Sequence, residues 1–320
     1  MKKRYDIVRF ALKCILIPAA AVLIIYRMNR AYLPINDQKY LDLDKFIYYL
    51  GDDHGKIRVA NLGSSHGAYD FIYDNITEQG NVCFNFGLPS QSYEYDYALL
   101  KEYGHYMENG SVMLIPVSYF SFNNEVTNAE EEQALSVRYY RILSPENIPN
   151  YSFYKDIITH KFPILSAGED ILQLFPDLNA VLTAHAANDG IDLNEFIERA
   201  QARYSRHFDN KEEYFLPERI ENLYDIIDYC KNHDITPVLI TTPFSIYYND
   251  LVPQDFLQEF YATIGNISHD TSVNYYDYSH DERFYDNLEY FSDSDHLNET
   301  GALYFTDMLW DEVEELGRFH

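Results

Sequence analysis

The run Ile57-Arg58-Val59-Ala60-Asn61-Leu62-Gly63-Ser64-Ser65-His66-Gly67 reads as a short apolar strand running into a tight turn of small residues. The same signature recurs along the chain. Asn81-Val82-Cys83-Phe84-Asn85-Phe86 is a second strand, ended by Gly87-Leu88-Pro89, and Ser111-Val112-Met113-Leu114-Ile115-Pro116-Val117 is a third. Thr236-Pro237-Val238-Leu239-Ile240-Thr241 is a fourth, and residues 273–278 supply a fifth. Between them apolar residues recur at helical spacing: Tyr97, Leu100, Tyr103 and Met107, then Ile220, Leu223, Ile226, Ile227 and Cys230, then 256–267 and 299–316. Short strands alternating with helices predict a five-stranded parallel sheet with helices on both faces, a three-layer α/β/α sandwich. In such sheets functional groups gather beyond the carboxyl ends of the strands. Ser65, Gly87 and Ser118 all fall there.

The 320 residues are 47% hydrophobic, enough for one substantial core. The chain is acidic, with 51 Asp and Glu against 24 Lys and Arg, and the imbalance is segregated. Residues 1–30 hold seven basic residues against Asp6 alone, which leaves the remainder at a formal −33. Such a surface repels nucleic acid and anionic lipid faces, so no nucleic-acid partner is expected. Three cysteines (Cys14, Cys83 and Cys230) offer neither a metal-ligand spacing nor a disulfide framework, and no metal is expected.

The basic start flanks an apolar run, Cys14-Ile15-Leu16-Ile17-Pro18-Ala19-Ala20-Ala21-Val22-Leu23-Ile24-Ile25-Tyr26. Extending it back to Ile7 reaches the ~20 residues a membrane span needs, with Arg9 and Lys13 snorkelling to the headgroups. Five basic residues precede Cys14 and two follow Tyr26 closely, which places the N-terminus in the cytoplasm and the rest outside. A cleaved signal peptide and a buried helix are the competing readings. The expected organisation is a cytoplasmic tail and anchor over 1–30, a stalk and leading helix over 31–55, and a catalytic domain over 56–320. That domain carries a mostly helical insertion at about 121–216, where the strand–helix alternation breaks.

Near the end, Phe291-Ser292-Asp293-Ser294-Asp295-His296-Leu297-Asn298 puts a carboxylate three residues before a histidine, just ahead of the last helix. A serine on a strand-to-helix turn with a distant Asp and His is the inventory of an activated hydroxyl, its base and the group that orients the base. A Gly-Ser-Ser turn alone is usually structural, and Asp293 and His296 alone would serve as a helix cap. Their order and context raise them to candidates for one site: Ser65 as nucleophile, His296 as base, Asp293 as orienter. His66 is a rival base, but lies next to the nucleophile and is expected to point elsewhere. Asp295 is a rival orienter, but adjacent to the ring it would steady.

These blocks resemble the SGNH (GDSL-type) hydrolase superfamily over roughly 56–120 and 217–316. The resemblance implies the SGNH/flavodoxin-like sandwich and places Ser65, after Gly63-Ser64, in the nucleophile position. Gly87 matches a glycine whose N–H enters the oxyanion hole with that of Ser65, and Asp293 and His296 match the closing Asp-x-x-His block. The third block normally supplies an Asn, which is missing after Val117. Ser118 is the nearest substitute donor, and Asn123 a remoter one. The departures and the anchor resemble the membrane-tethered branch that moves or removes acyl groups on envelope polymers, D-alanyl-transfer-protein-like. What that implies is an ester hydrolase or O-acyltransferase of the cell membrane, without a cofactor. Its substrate would be an extracytoplasmic polysaccharide or polymer, and an integral-membrane acyltransferase would be a partner. Tyr119 and Phe120, with Phe122, are the candidate aromatic lining of a glycan cleft. A catalytically silent scaffold of the same fold, binding glycan or a membrane acyltransferase, is the alternative.

Overall fold

The computed structural model describes residues 2–49, 55–123, 135–174, 193–209 and 213–317. Strands β1 (Ile57–Asn61), β2 (Cys83–Asn85), β3 (Met107–Pro116), β4 (Thr236–Thr241) and β5 (Asn274–Asp277) form one sheet in the order β2-β1-β3-β4-β5. Every pairing is parallel, with Asn61 opposite Asn85 and Leu114, Leu114 opposite Val238, and Ile240 opposite Tyr276. The order reverses direction between β1 and β3. A crevice opens at such a point beyond the strand ends.

Among the described residues the principal helices are α1 (Lys2–Asp37), α2 (Ser65–Tyr69), α3 (Asp74–Glu78), α4 (Tyr93–Tyr103), α5 (Leu193–Phe208), α6 (Pro217–Asn232), α7 (Gln254–Thr271) and α8 (Glu299–Val313). Side chains alternate across a strand, and the central strands β1, β3 and β4 are buried at nearly every position, so both faces of the sheet take a helical layer. Ala60, Met113, Ile115 and Leu239 join a core with Leu99 and Leu100 of α4, Leu223 and Ile227 of α6, and Phe260 and Ile264 of α7. Val59, Val112, Leu114, Val238 and Ile240 face the other way, onto Ile76 of α3 and Phe305, Leu309, Trp310 and Val313 of α8. Each buried Val, Leu, Ile, Phe or Met among them contributes about 1.5–3 kcal/mol by leaving water.

Two boundaries differ from the sequence reading. Met107 opens β3 instead of ending the preceding helix, because Gly104–Tyr106 forms a 3-10 turn that stops α4. The apolar N-terminal segment, long and apolar enough to cross a membrane, lies in a helix running unbroken to Asp37, through the first part of the expected stalk. Its last turns are packed. Asn29, Tyr32 and Asn36 are buried at helical spacing, and Asn29 donates to the Lys161 carbonyl and accepts from the Ile164 N–H. Leu50 and residues 124–134, 175–192 and 210–212 of the insertion lie outside the described residues. The described part of the insertion is mostly helical, in short 3-10 and π turns and in α5. Phe196 near the start of α5 joins one core and Phe208 at its end joins the other, so this helix crosses the sheet from layer to layer.

Candidate active site

The turn after β1 is built by shape and by buried polar groups. Gly63 takes φ +111°, and a Cβ there would meet the Pro116 ring at 2.9 Å, so only glycine fits. Its N–H donates to Asp96 Oδ1 at 2.9 Å, while Gln91 Nε2 donates to the same oxygen at 2.6 Å and to the Gly63 carbonyl at 3.3 Å. Burial pushes Asp96 up to about 7 against the pull of those two donors. Asn61 Nδ2 donates to the Gly67 carbonyl at 2.8 Å and to Asn85 Oδ1 at 3.1 Å, and Asn85 Nδ2 donates to the carbonyls of Ala68 and Phe71. A Cβ at Gly87 would collide with the Gly67–Ala68 backbone. Ser65, half-buried, opens α2 on this rigid mount.

The loop ahead of α8 is fixed as firmly. Asn298 caps the helix by accepting from the Gly301 N–H at 3.0 Å, and the Leu297 N–H donates to Asp70 Oδ1 at 3.0 Å. Asp293 Oδ1 accepts from the N–H groups of Asp295 and His296 and from His296 Nδ1 at 2.9 Å, with Oδ2 at 3.0 Å from the same ring nitrogen. Asp295 Oδ1 stands 3.8 Å from it. Asp293 is therefore the carboxylate that hydrogen-bonds the imidazole. With Nδ1 held, Nε2 is the nitrogen left over; it is buried and has no hydrogen-bond partner among the described residues. The ring lies against Tyr69 and His66 of α2, centroids 5.7 and 5.1 Å away. Ser65 precedes His66 directly and Tyr69 by one helical turn, so the base packs on the helix that the serine opens. No hydrogen bond joins Ser65 Oγ to His296 Nε2, a contact that commonly tightens only when substrate binds.

Several expectations are corrected. His66 has partners other than Ser65 and is no surface residue: it is fully buried, with Nδ1 2.5 Å from Ser118 Oγ and Nε2 3.6 Å from Asp295 Oδ2. Ser118 is engaged on both sides, its hydroxyl with His66 and its N–H with Ser121 Oγ at 2.8 Å, so it is not aimed at an oxyanion. The Gly87 N–H donates to Asn85 Oδ1 at 2.8 Å, which occupies that donor too. Asn123 is buried and donates to the His207 carbonyl. Tyr119 is a core residue, 0% exposed, stacked on Phe244 with its hydroxyl donating to Asn249. Phe122 is likewise buried. Phe120 packs between His66 and His207 and shows only an edge to a cleft shared with Gly63, Ser64, Gln91 and Ser121.

Other contributors carry no signal in the sequence. Arg203 of α5 reaches across to Asp295 Oδ1 at 3.1 Å and Asp293 Oδ2 at 3.4 Å. His207, one helical turn on, places Nδ1 2.6 Å from the Tyr248 hydroxyl, and burial drives it down to about 3. Burial lifts Asp70 to about 6 against the pull of His66 and His296. Asp295 is held well below the usual carboxylate range: its burial opposes ionisation, but His296, His66 and Arg203 outweigh it. Burial would lower His296 as well, yet the Asp295 and Asp293 carboxylates reverse this and raise it to about 9. The imidazolium, the state a base reaches on taking a proton, is thus the form this site stabilises.

No protein-family model and no curated protein matches this chain. Among solved structures it is similar to a Bacteroides fragilis protein provisionally described as an acylhydrolase, at 11% identity over 85% of this chain and 96% of that one, TM-score 0.43. It is also similar to a Streptococcus pneumoniae protein provisionally described as a platelet activating factor, at 12% identity over 92% and 99%, TM-score 0.44. A third is a variant of the acetyl-xylooligosaccharide esterase of Geobacillus stearothermophilus, at 10% identity over 84% and 100%, TM-score 0.39. Similarity at this level assigns neither reaction nor substrate.

Proposed function

We propose that this protein is a membrane-anchored, extracytoplasmic serine esterase or O-acyltransferase acting on O-acyl groups of a cell-envelope glycan or polymer. One observation carries the reading: His296, its Nδ1 held by Asp293, keeps Nε2 free and lies against the short helix that Ser65 opens. Ser65 Oγ attacks the acyl carbonyl while His296 Nε2, in the neutral form of the ring, takes the hydroxyl proton. With the ring raised to about 9, the rate should climb with pH toward 9. Collapse of the tetrahedral intermediate expels the sugar or polyol alcohol, which recovers that proton, and leaves an acyl-serine. Water or a second hydroxyl then attacks the acyl-serine by the same route. The first N–H groups of α2, which have no acceptor within the helix, are the donors for the oxyanion. The N-terminal helix tethers the domain, with its basic tail in the cytoplasm.

The test uses the full chain in detergent, an aryl acetate substrate and a fluorophosphonate probe. Ser65→Ala is expected to lose at least about 10³-fold in kcat/KM together with covalent labelling. Retained hydrolysis in that variant would overturn the assignment. The silent-scaffold reading is favoured by the missing Ser65–His296 bond and the occupied donors at Gly87 and Ser118. A wild-type chain that neither labels nor hydrolyses establishes it.

A further inference from the structure

We propose that His66, Asp295 and His296 form a binding site for a divalent transition-metal ion, of which zinc fits the donors best. One donor atom from each residue lies within 4.8 Å of the other two, and all three residues are buried. Both imidazoles are anchored through Nδ1, His66 against Ser118 Oγ at 2.5 Å and His296 against Asp293 at 2.9 Å. Metal-binding histidines are held in this manner, one ring nitrogen fixed by an outer partner and the other presented to the ion. Of the presented atoms, His66 Nε2 and Asp295 Oδ2 face each other at 3.6 Å, beyond hydrogen-bond distance, and His296 Nε2 is buried with no hydrogen-bond partner among the described residues. A buried ring nitrogen left without a partner is costly. A shared cation satisfies all three at once.

The donor chemistry narrows the ion. Two imidazole nitrogens and one carboxylate oxygen, with a further position open, match three-ligand zinc sites. Ligands of a tetrahedral zinc stand about 3.3 Å apart, given bonds of about 2.0–2.1 Å. His66 Nε2 and Asp295 Oδ2 already lie at 3.6 Å, close to that spacing. Arg203 holds Asp295 Oδ1 at 3.1 Å, which leaves Oδ2 for the ion and makes Asp295 a one-oxygen ligand. No spacing in the chain hints at this set, because His66 stands 229 residues before Asp295. The ion would occupy the His296 lone pair that Ser65 needs. On the serine-esterase reading, zinc is therefore an inhibitor of the reaction.

The experiment titrates Co²⁺ into EDTA-stripped full chain in detergent and follows visible d–d absorption, with circular dichroism as the check on folding. The expected result is one equivalent bound with four- or five-coordinate bands. Ser118→Ala, which removes only an outer partner, should weaken binding by about 10–100-fold, and His66→Ala should weaken it further. Absence of saturable Co²⁺ binding by the wild type, or wild-type affinity in both variants, overturns the proposal. In parallel, half-inhibition of aryl acetate hydrolysis by Zn²⁺ should follow the binding affinity and shift with Ser118→Ala. If the chain hydrolyses no ester, the serine reading fails while the Co²⁺ titration still decides the metal site.

Discussion

Replacing Asp96 by asparagine isolates the least stable charge beneath the Gly63–Ser65 turn. The carboxyl is 0% exposed and rises from an ordinary 3.8 to about 7, chiefly through burial. At about 1.36 kcal/mol per unit, the ionised form costs the folded chain about 4 kcal/mol relative to the protonated one. The sign follows from proton binding. The folded state binds the proton more tightly than the unfolded state, so this contribution is fully present below pH 3.8 and is lost as pH rises through about 7. Between pH 5 and pH 8 the wild type should lose about 2.6 kcal/mol from this group alone. Asparagine cannot titrate, and its Oδ1 can still accept from the Gly63 N–H and the Gln91 amide. Its Nδ2 would fall where Asp96 Oδ2 has no partner, a cost of about 1–3 kcal/mol that does not depend on pH. The measurement is therefore the difference in pH slope, read from urea or thermal unfolding of both proteins in the same detergent. A flatter stability curve for Asp96→Asn between pH 5 and pH 8 is expected. Parallel curves for the two proteins would refute the reasoning, since Asp96 would then titrate alike in folded and unfolded chains.

Two further outcomes follow. Asp293→Asn replaces the group that fixes the His296 tautomer, so kcat should fall by about 10³–10⁴ with little change in KM; a rate within tenfold of wild type would remove Asp293 from the mechanism. Full-length chain should stay with membranes through an alkaline carbonate wash, whereas deletion of residues 2–27 should release it while sparing the Asn29 contacts to Lys161 and Ile164; full extraction of the intact chain would count against an anchor.

The sheet was legible because its central strands are apolar runs ended by small or turn-forming residues, buried on both faces. Local pattern decides such elements. Boundaries were read less well where two helix types meet: the stripe through Tyr97 and Met107 ran past Tyr103, where a 3-10 turn and a strand take over. Of the candidate site, the Asp293–His296 pair was legible because both ends lie within one turn of chain. Tyr119 was misplaced because an aromatic after a strand end packs inward or lines a cleft with the same local sequence, and here Phe244 and Phe260 enclose it.

What the sequence determined by itself is whatever depends on neighbours in the chain: the strands, the apolar N-terminal helix, the Gly63 turn and the Asp293–His296 spacing. The tertiary structure decided what depends on burial and on distant segments meeting. His66 looked incidental beside Ser65 until folding brought it between Ser118 and Asp295. Arg203 and His207 sit on a helix of the insertion, and only its crossing of the sheet delivers them to the site. The lifted pKa of His296 has the same origin, because a carboxylate acts on an imidazole through distance and dielectric, and neither is written in sequence separation.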